Sequence, residues 1–172
     1  MEENLEVHTI SRIDVLKGRS SINTDGLADL LLEHFDHRLG DDPATSLYED
    51  SFCPDSPLID SIVEELKESF YRFTGIKINL LGKWSQIHKP NMSTNSHAHY
   101  PADVASVYYV SVPDGAGHIC FYPDHNKYHP NMVKFQPEKN TFLMFPATLE
   151  HSVTRNLSTD DRISLSFNFS LC

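Results

Sequence analysis

The sharpest pattern of apolar and polar positions lies at the end of the chain, where Arg162-Ile163-Ser164-Leu165-Ser166-Phe167-Asn168-Phe169 alternates without a break. A strand sends successive side chains to opposite faces, so Ile163, Leu165, Phe167 and Phe169 share one face and Arg162, Ser164, Ser166 and Asn168 the other. Strand-like runs precede it at Val104–Val112, His118–Tyr122 and Thr141–Phe145. Two further short runs, Ile76–Leu80 and Lys83–Ile87, are separated by Gly82. Pro113-Asp114-Gly115-Ala116-Gly117 reads as a turn, and Asn91–Asn95 and residues 123–132 read as loops. Everything after Ile76 is therefore expected to be β.

The first 75 residues follow a different period. Thr24 or Asp25 caps an expected helix with Leu27, Leu30, Leu31 and Phe35 on one stripe, ending at Gly40. Residues 40–54 read as loop. A second helix starts at Ser56 as N-cap with Pro57 in its first turn, carries Leu58, Ile59, Ile62, Val63, Leu66, Phe70 and Phe73 as its apolar stripe, and ends at Gly75. Ahead of both, Leu5 to Leu16 suggests one or two short strands, which Lys17-Gly18-Arg19-Ser20-Ser21 interrupts. Two amphipathic helices need an apolar sheet face to cover, and the final strand offers one. The pattern reads as mainly β with N-terminal helices, a barrel-like sandwich with the helices covering an apolar sheet face. The polar face of the last strand then looks to solvent or into the mouth of the sandwich.

Composition narrows the functional classes. At 172 residues, 40% hydrophobic and 22% charged, the sequence suits one domain spanning residues 1–172, with 1–75 supporting a β core over 76–172. A net charge of -10 argues against nucleic acid or an anionic membrane as the partner, since both attract a basic face. No run approaches the roughly 20 apolar residues of a membrane span. Met1-Glu2-Glu3-Asn4 lacks the basic start and apolar core of a secretory signal, and Cys53, Cys120 and Cys172 read as free thiols, so a cytoplasmic location is expected. Nothing in the pattern specifies an oligomeric state.

Ten histidines are present, and three stand out by their setting. His97 and His99 are two apart, so in an extended segment both imidazoles project to one side and can reach a common metal ion. His151 follows the apolar run Phe142-Leu143-Met144-Phe145-Pro146 at the start of a further expected strand, where a jelly-roll could bring it beside the other two. Imidazole accepts Fe, Zn, Cu and Ni alike, so the ligand type leaves the metal open. Arg162 and Ser164 share a strand face, and a guanidinium beside a hydroxyl is a receptor for a carboxylate. His34 and His37 lack a third ligand nearby, and His88, His118, His125 and His129 lack any motif context, so these read as surface or hydrogen-bonded residues.

Trp84, Asn95, His97-Ala98-His99, Tyr108-Tyr109-Val110, Phe142-Leu143-Met144-Phe145-Pro146, His151-Ser152-Val153 and Arg162 through Asn168 together resemble the 2-oxoglutarate/Fe(II)-dependent oxygenase superfamily. The resemblance covers roughly residues 77–172 and is nearest to the small oxygenases of this kind in marine bacteria and their phages. It implies a double-stranded β-helix with N-terminal helices packed on the larger sheet. It implies Fe(II) bound by His97 and His151, and 2-oxoglutarate held by Arg162 with Ser164, while Asn95, Tyr108 or Tyr109, and Asn168 are further candidate co-substrate contacts. Packing in the core is the alternative for the tyrosines Tyr108 and Tyr109. The implied reaction consumes 2-oxoglutarate and O2, releases succinate, and hydroxylates a small-molecule or peptide substrate. The departure from the superfamily is His99, which stands where an acid is usual. Either His99 is itself the second ligand or a neighbouring acid such as Asp103 supplies it. Two other classes stay open: a cupin-like metal enzyme that does not use 2-oxoglutarate, and a non-catalytic jelly-roll binding module.

Overall fold

The structure is a computed structural model that describes residues 12–34, 53–123 and 131–172. Its larger sheet is antiparallel and five-stranded, built in spatial order from β1 (Leu16–Arg19), β7 (Thr141–Pro146), β4 (Val104–Ser111), β9 (Arg162–Leu171) and β2 (Ile78–His88). A smaller sheet has the order β3 (Thr94–His97), β8 (His151–Val153), β5 (Ile119–Phe121) and β6 (Val133–Phe135). The alternation of β9 sorts the two faces of the larger sheet. Ile163, Leu165, Phe167 and Phe169 join Ile87, Val104, Tyr108, Phe142 and Met144 in a core that packs under the helices. Ala105, Val107, Tyr109, Leu143 and Phe145 point the other way and meet Ile119 and Phe121 of the smaller sheet. This is the two-layer double-stranded β-helix with helices on its larger sheet, as expected from the sequence.

The helices cover the sheet for the reasons their sequences state. In α2 (Pro57–Thr74) the Ser56 side chain accepts the Leu58 N–H at 3.3 Å, Pro57 opens the first turn, and Gly75 closes the helix at φ 74°. Such a serine cap contributes about 1 kcal/mol. Ile59, Ile62, Val63 and Leu66 are buried against the sheet, as are Leu27 and Leu31 of α1 (Leu27–His34). The expected end of α1 at Gly40 and its Phe35 and His37 lie outside the described residues, as do His125, His129 and the segment before Arg12.

Three expectations are corrected, and one strand is added. The break expected at residues 17–21 contains β1, which pairs with β7 in the register Leu16↔Met144 to Arg19↔Thr141. Gly18 permits this pairing, because a Cβ there would fall inside the Phe142 ring. The two runs expected at Ile76–Leu80 and Lys83–Ile87 form one strand of 11 residues that starts at Ile78, with a bulge at Leu80/Gly82 that lets the pairing with β9 resume. Part of the expected Asn91–Asn95 loop is β3, and β6 begins just past the expected loop 123–132. These strands have four and three residues, so their conformation comes from the neighbour they pair with and not from local propensity.

Candidate metal centre and anion cavity

The antiparallel pairing of β3 with β8 sets His97 directly opposite His151. His99 lies two residues past the end of β3, its N–H donating to the Ala147 carbonyl at 2.8 Å, which turns its ring toward the same point. The ligand atoms of His97, His99 and His151 all lie within 4.8 Å of one another, and among the described residues this is the one such cluster of possible metal ligands. The Nε2 atoms of His99 and His151 are 3.2 Å apart. Two nitrogens bound at about 2.1 Å and at roughly a right angle to one ion would be separated by about 3.0 Å, so the observed gap fits a shared metal.

The tautomers fit as well. His97 Nδ1–H donates to the Asn95 carbonyl and His151 Nδ1–H to the Leu149 carbonyl, each at 2.8 Å. An imidazole that spends its proton on a carbonyl keeps its Nε2 lone pair for a metal. Burial, together with the neighbouring imidazoles His151 and His97, lowers the His99 pKa to about 3. Burial and His97 lower that of His151 to about 4, although the Leu149 carbonyl and the Glu150 carboxylate pull it back up. His99 and His151 are therefore neutral at physiological pH. Phe121, Phe145 and Trp84 wall it, with ring centroids 5.9 and 4.8 Å from His151 and 5.4 Å from His99 respectively.

Arg162 shares the cavity. A solvent-open space of about 350 Å³ is lined by His97, His99 and His151 at one side and by Arg162, Gln86, Thr94 and Ser166 among others. Arg162 is 0% exposed, and its Nε, Nη1 and Nη2 atoms all lack a hydrogen-bond partner. The Ser164 and Tyr109 hydroxyls and Asn168 Oδ1, on the same face of the sheet, are buried and unpartnered too. The Tyr109 ring sits 5.3 Å from the guanidinium carbon. Burial pushes the Tyr109 hydroxyl up to about 12 against the pull of Arg162, and burial draws the Arg162 pKa down without discharging it. A buried cation with five unanswered N–H donors is costly, and a bound carboxylate is the partner that answers it.

Not every sequence candidate reaches this cavity. Ser164 and Asn168 take the same inward face as Arg162, but of β9 only Arg162 and Ser166 line the cavity itself. Tyr108 does not: it opposes Leu165 and packs in the helix-side core, because adjacent strand residues face opposite ways, and its neighbour Tyr109 faces Arg162 instead. Asn95 has an exposed side chain and serves through its carbonyl, which orients His97. Asp103 is exposed and its carboxylate accepts the Leu171 N–H at 2.8 Å, so its charge is engaged at the end of β9 and outside the histidine cluster. His88, expected as an ordinary surface or hydrogen-bonded residue, is 5% exposed and stands opposite Arg162 in the β2–β9 pairing, its Nε2 2.7 Å from the Thr94 hydroxyl. Burial and the Arg162 charge lower its pKa to about 3. The signal for His88 was present: Trp84, Gln86 and His88 alternate onto the face that carries Arg162, Ser164 and Ser166.

A family model described as "Putative 2OG-Fe(II) oxygenase" matches residues 82–168, just over half of the 172. No curated protein matches the sequence. Among solved structures, a 2OG-Fe(II) oxygenase family oxidoreductase from Burkholderia pseudomallei is similar at 15% identity and TM-score 0.56, over 69% of this chain and 60% of that one. A non-heme alpha ketoglutarate dependent epimerase from nogalamycin biosynthesis is similar at 14% identity and TM-score 0.58, over 67% of this chain and 56% of that one. A Pseudomonas putida prolyl-4-hydroxylase is similar at 15% identity and TM-score 0.51, over 69% of this chain and 70% of that one. The chain spans less than two thirds of the length of the first two, and at these identities the likeness is one of fold.

Proposed function

The chain belongs to the 2OG-Fe(II) oxygenase family, and on that premise we propose that it is an Fe(II)- and 2-oxoglutarate-dependent dioxygenase that hydroxylates a small-molecule or peptide substrate. The observation that carries the proposal is one cavity holding three convergent imidazoles and, across from them, a fully buried guanidinium with no partner. In this reading His97, His99 and His151 hold the iron, and Arg162 with the Ser164 hydroxyl binds the far carboxylate of 2-oxoglutarate. Of the two tyrosines that the sequence offered, Tyr109 with its unpartnered hydroxyl takes the co-substrate role, and Asn168 remains a further contact. When bound, the iron supplies the redox chemistry by which O2 and 2-oxoglutarate are consumed, succinate and CO2 leave, and a C–H bond of the substrate becomes C–OH.

The protein's own residues bind, orient and exclude water. The Asn95 and Leu149 carbonyls fix the His97 and His151 rings so that their lone pairs point inward. The guanidinium offers paired donors that set the direction of the acid as well as its affinity. Val107, Ile119, Phe145 and Val153 line the cavity with apolar surface, which strengthens each polar contact within it. The cupin-like and non-catalytic readings leave Arg162 buried and unanswered, so the orphaned guanidinium favours the oxygenase.

The described residues contain no helix long and apolar enough to cross a membrane. A cytoplasmic setting and one oxygenase domain over the whole chain complete the reading, and the three free cysteines suit a reducing compartment. The test is aerobic incubation with Fe(II) and 2-oxoglutarate, following succinate. Slow uncoupled succinate formation is expected from the wild type, abolished in His151→Ala and reduced at least tenfold in Arg162→Ala. Metal binding without any succinate or 2-oxoglutarate binding would transfer the assignment to the cupin-like class.

A further inference from the structure

The fixed charges of the cavity all have one sign, and we infer that the substrate brings a second anion: a carboxylate group that binds beside 2-oxoglutarate at the histidine end of the cavity. This deepens the function proposed above and rests on it. His97 and His151 each spend their Nδ1 proton on a backbone carbonyl, so they meet a metal as neutral imidazoles, and the buried His99 completes a donor set with no negative charge. A divalent ion held this way keeps its full charge, and Arg162 adds another. The 2-oxoglutarate dianion cancels only two of these three positive charges.

No described residue places a negative charge inside the cavity to neutralise the remainder. Among the described residues that line the cavity none is acidic. Asp103 and Glu150 stay outside the lining: Asp103 is exposed beside the Leu171 N–H, Glu150 accepts the Ser96 hydroxyl at 2.6 Å and acts on His151 from beyond the cavity wall, and Glu65 sits by Tyr108 on the helix side. One uncompensated positive charge between the walls of Val107, Ile119, Phe145 and Val153 acts in a low dielectric, where it favours an incoming anion far more than it would in water. Sharing the cavity with 2-oxoglutarate restricts that anion to a small organic acid or the acidic end of a longer molecule.

The test replaces Fe(II) with redox-inert Zn(II), saturates the protein with 2-oxoglutarate, and titrates acetate and its neutral isostere acetamide by calorimetry at low ionic strength. Acetate is expected to bind at least tenfold more tightly than acetamide and to weaken as salt is added. His99→Asp places one negative charge in the donor set; with Zn(II) content checked by elemental analysis, it is expected to lower acetate affinity at least tenfold while 2-oxoglutarate still binds. Acetate binding no tighter than acetamide, or acetate binding unchanged in a Zn(II)-loaded His99→Asp, overturns the inference and leaves the oxygenase assignment standing. A wild type that takes up no Zn(II) overturns the assignment itself. If His99→Asp fails to hold the metal, the acetate-to-acetamide ratio in the wild type decides the matter alone.

Discussion

Replacing Arg162 with methionine should make the ligand-free protein more stable while removing its co-substrate. The guanidinium is 0% exposed, all three of its nitrogens lack partners, and its compensation within the fold is the Tyr109 ring at 5.3 Å. A desolvated cation carries an effective penalty of several kcal/mol, whereas a desolvated ring contact returns about 2 kcal/mol. Methionine fills most of the same volume without charge, so Arg162→Met is expected to raise stability by about 1–4 kcal/mol. In a chain of this size each kcal/mol moves the melting temperature by about 2–4 °C. Urea unfolding of the metal-free protein measures the change directly. The second half of the experiment adds Zn(II) and 2-oxoglutarate: at one hundred times its Kd the acid stabilises the wild type by about 2.7 kcal/mol over the metal alone, and should do nothing for Arg162→Met. A variant destabilised by more than about 2 kcal/mol, with an unchanged urea slope, would refute the reasoning, since it would mean that the fold itself satisfies the guanidinium.

Three further outcomes follow from individual contacts. His88 is held neutral with a pKa of about 3, while in the unfolded chain it protonates near 6.5, so its contribution is complete above pH 6.5 and is lost as pH falls toward 3. At pH 5 that amounts to about 2 kcal/mol, and His88→Gln should flatten the pH dependence of unfolding by about that much. Tyr109→Phe should weaken 2-oxoglutarate binding several-fold by removing a hydroxyl next to Arg162, whereas Tyr108→Phe, on the helix side, should change it less than twofold, both read by calorimetry. Gly18→Ala drives a methyl group into the Phe142 ring and should cost about 1–3 kcal/mol in urea unfolding, with the β1–β7 amides losing hydrogen-exchange protection first.

The legible parts of the fold are those whose pattern is local. The alternation of β9 is long enough to declare both its faces, and α2 carries its own cap, first-turn proline and terminating glycine. The short strands are different, because β1, β3 and β6 acquire their conformation from long-range pairing that no window of three or four residues encodes. Gly18 reads as a breaker in isolation and becomes a requirement only once Phe142 lies over it. The histidine cluster was legible because the His97/His99 spacing and the run before His151 are sequence features. Tyr109 depended on phase, because Tyr108 and Tyr109 are adjacent and only the register against β9 decides which faces inward, whereas His88 continues the alternation of Trp84 and Gln86 and gains its meaning only when pairing sets it opposite Arg162.

The central claim is that three imidazoles and one buried guanidinium serve a metal and an acid in the same cavity. Anaerobic calorimetric titration of 2-oxoglutarate into the protein with and without Fe(II) tests it most directly. The expected result is one 2-oxoglutarate bound per chain, tightened at least tenfold by Fe(II), with the Fe(II) dependence lost in His151→Ala and the binding itself lost in Arg162→Met. Binding of 2-oxoglutarate that ignores both Fe(II) and Arg162 would contradict it.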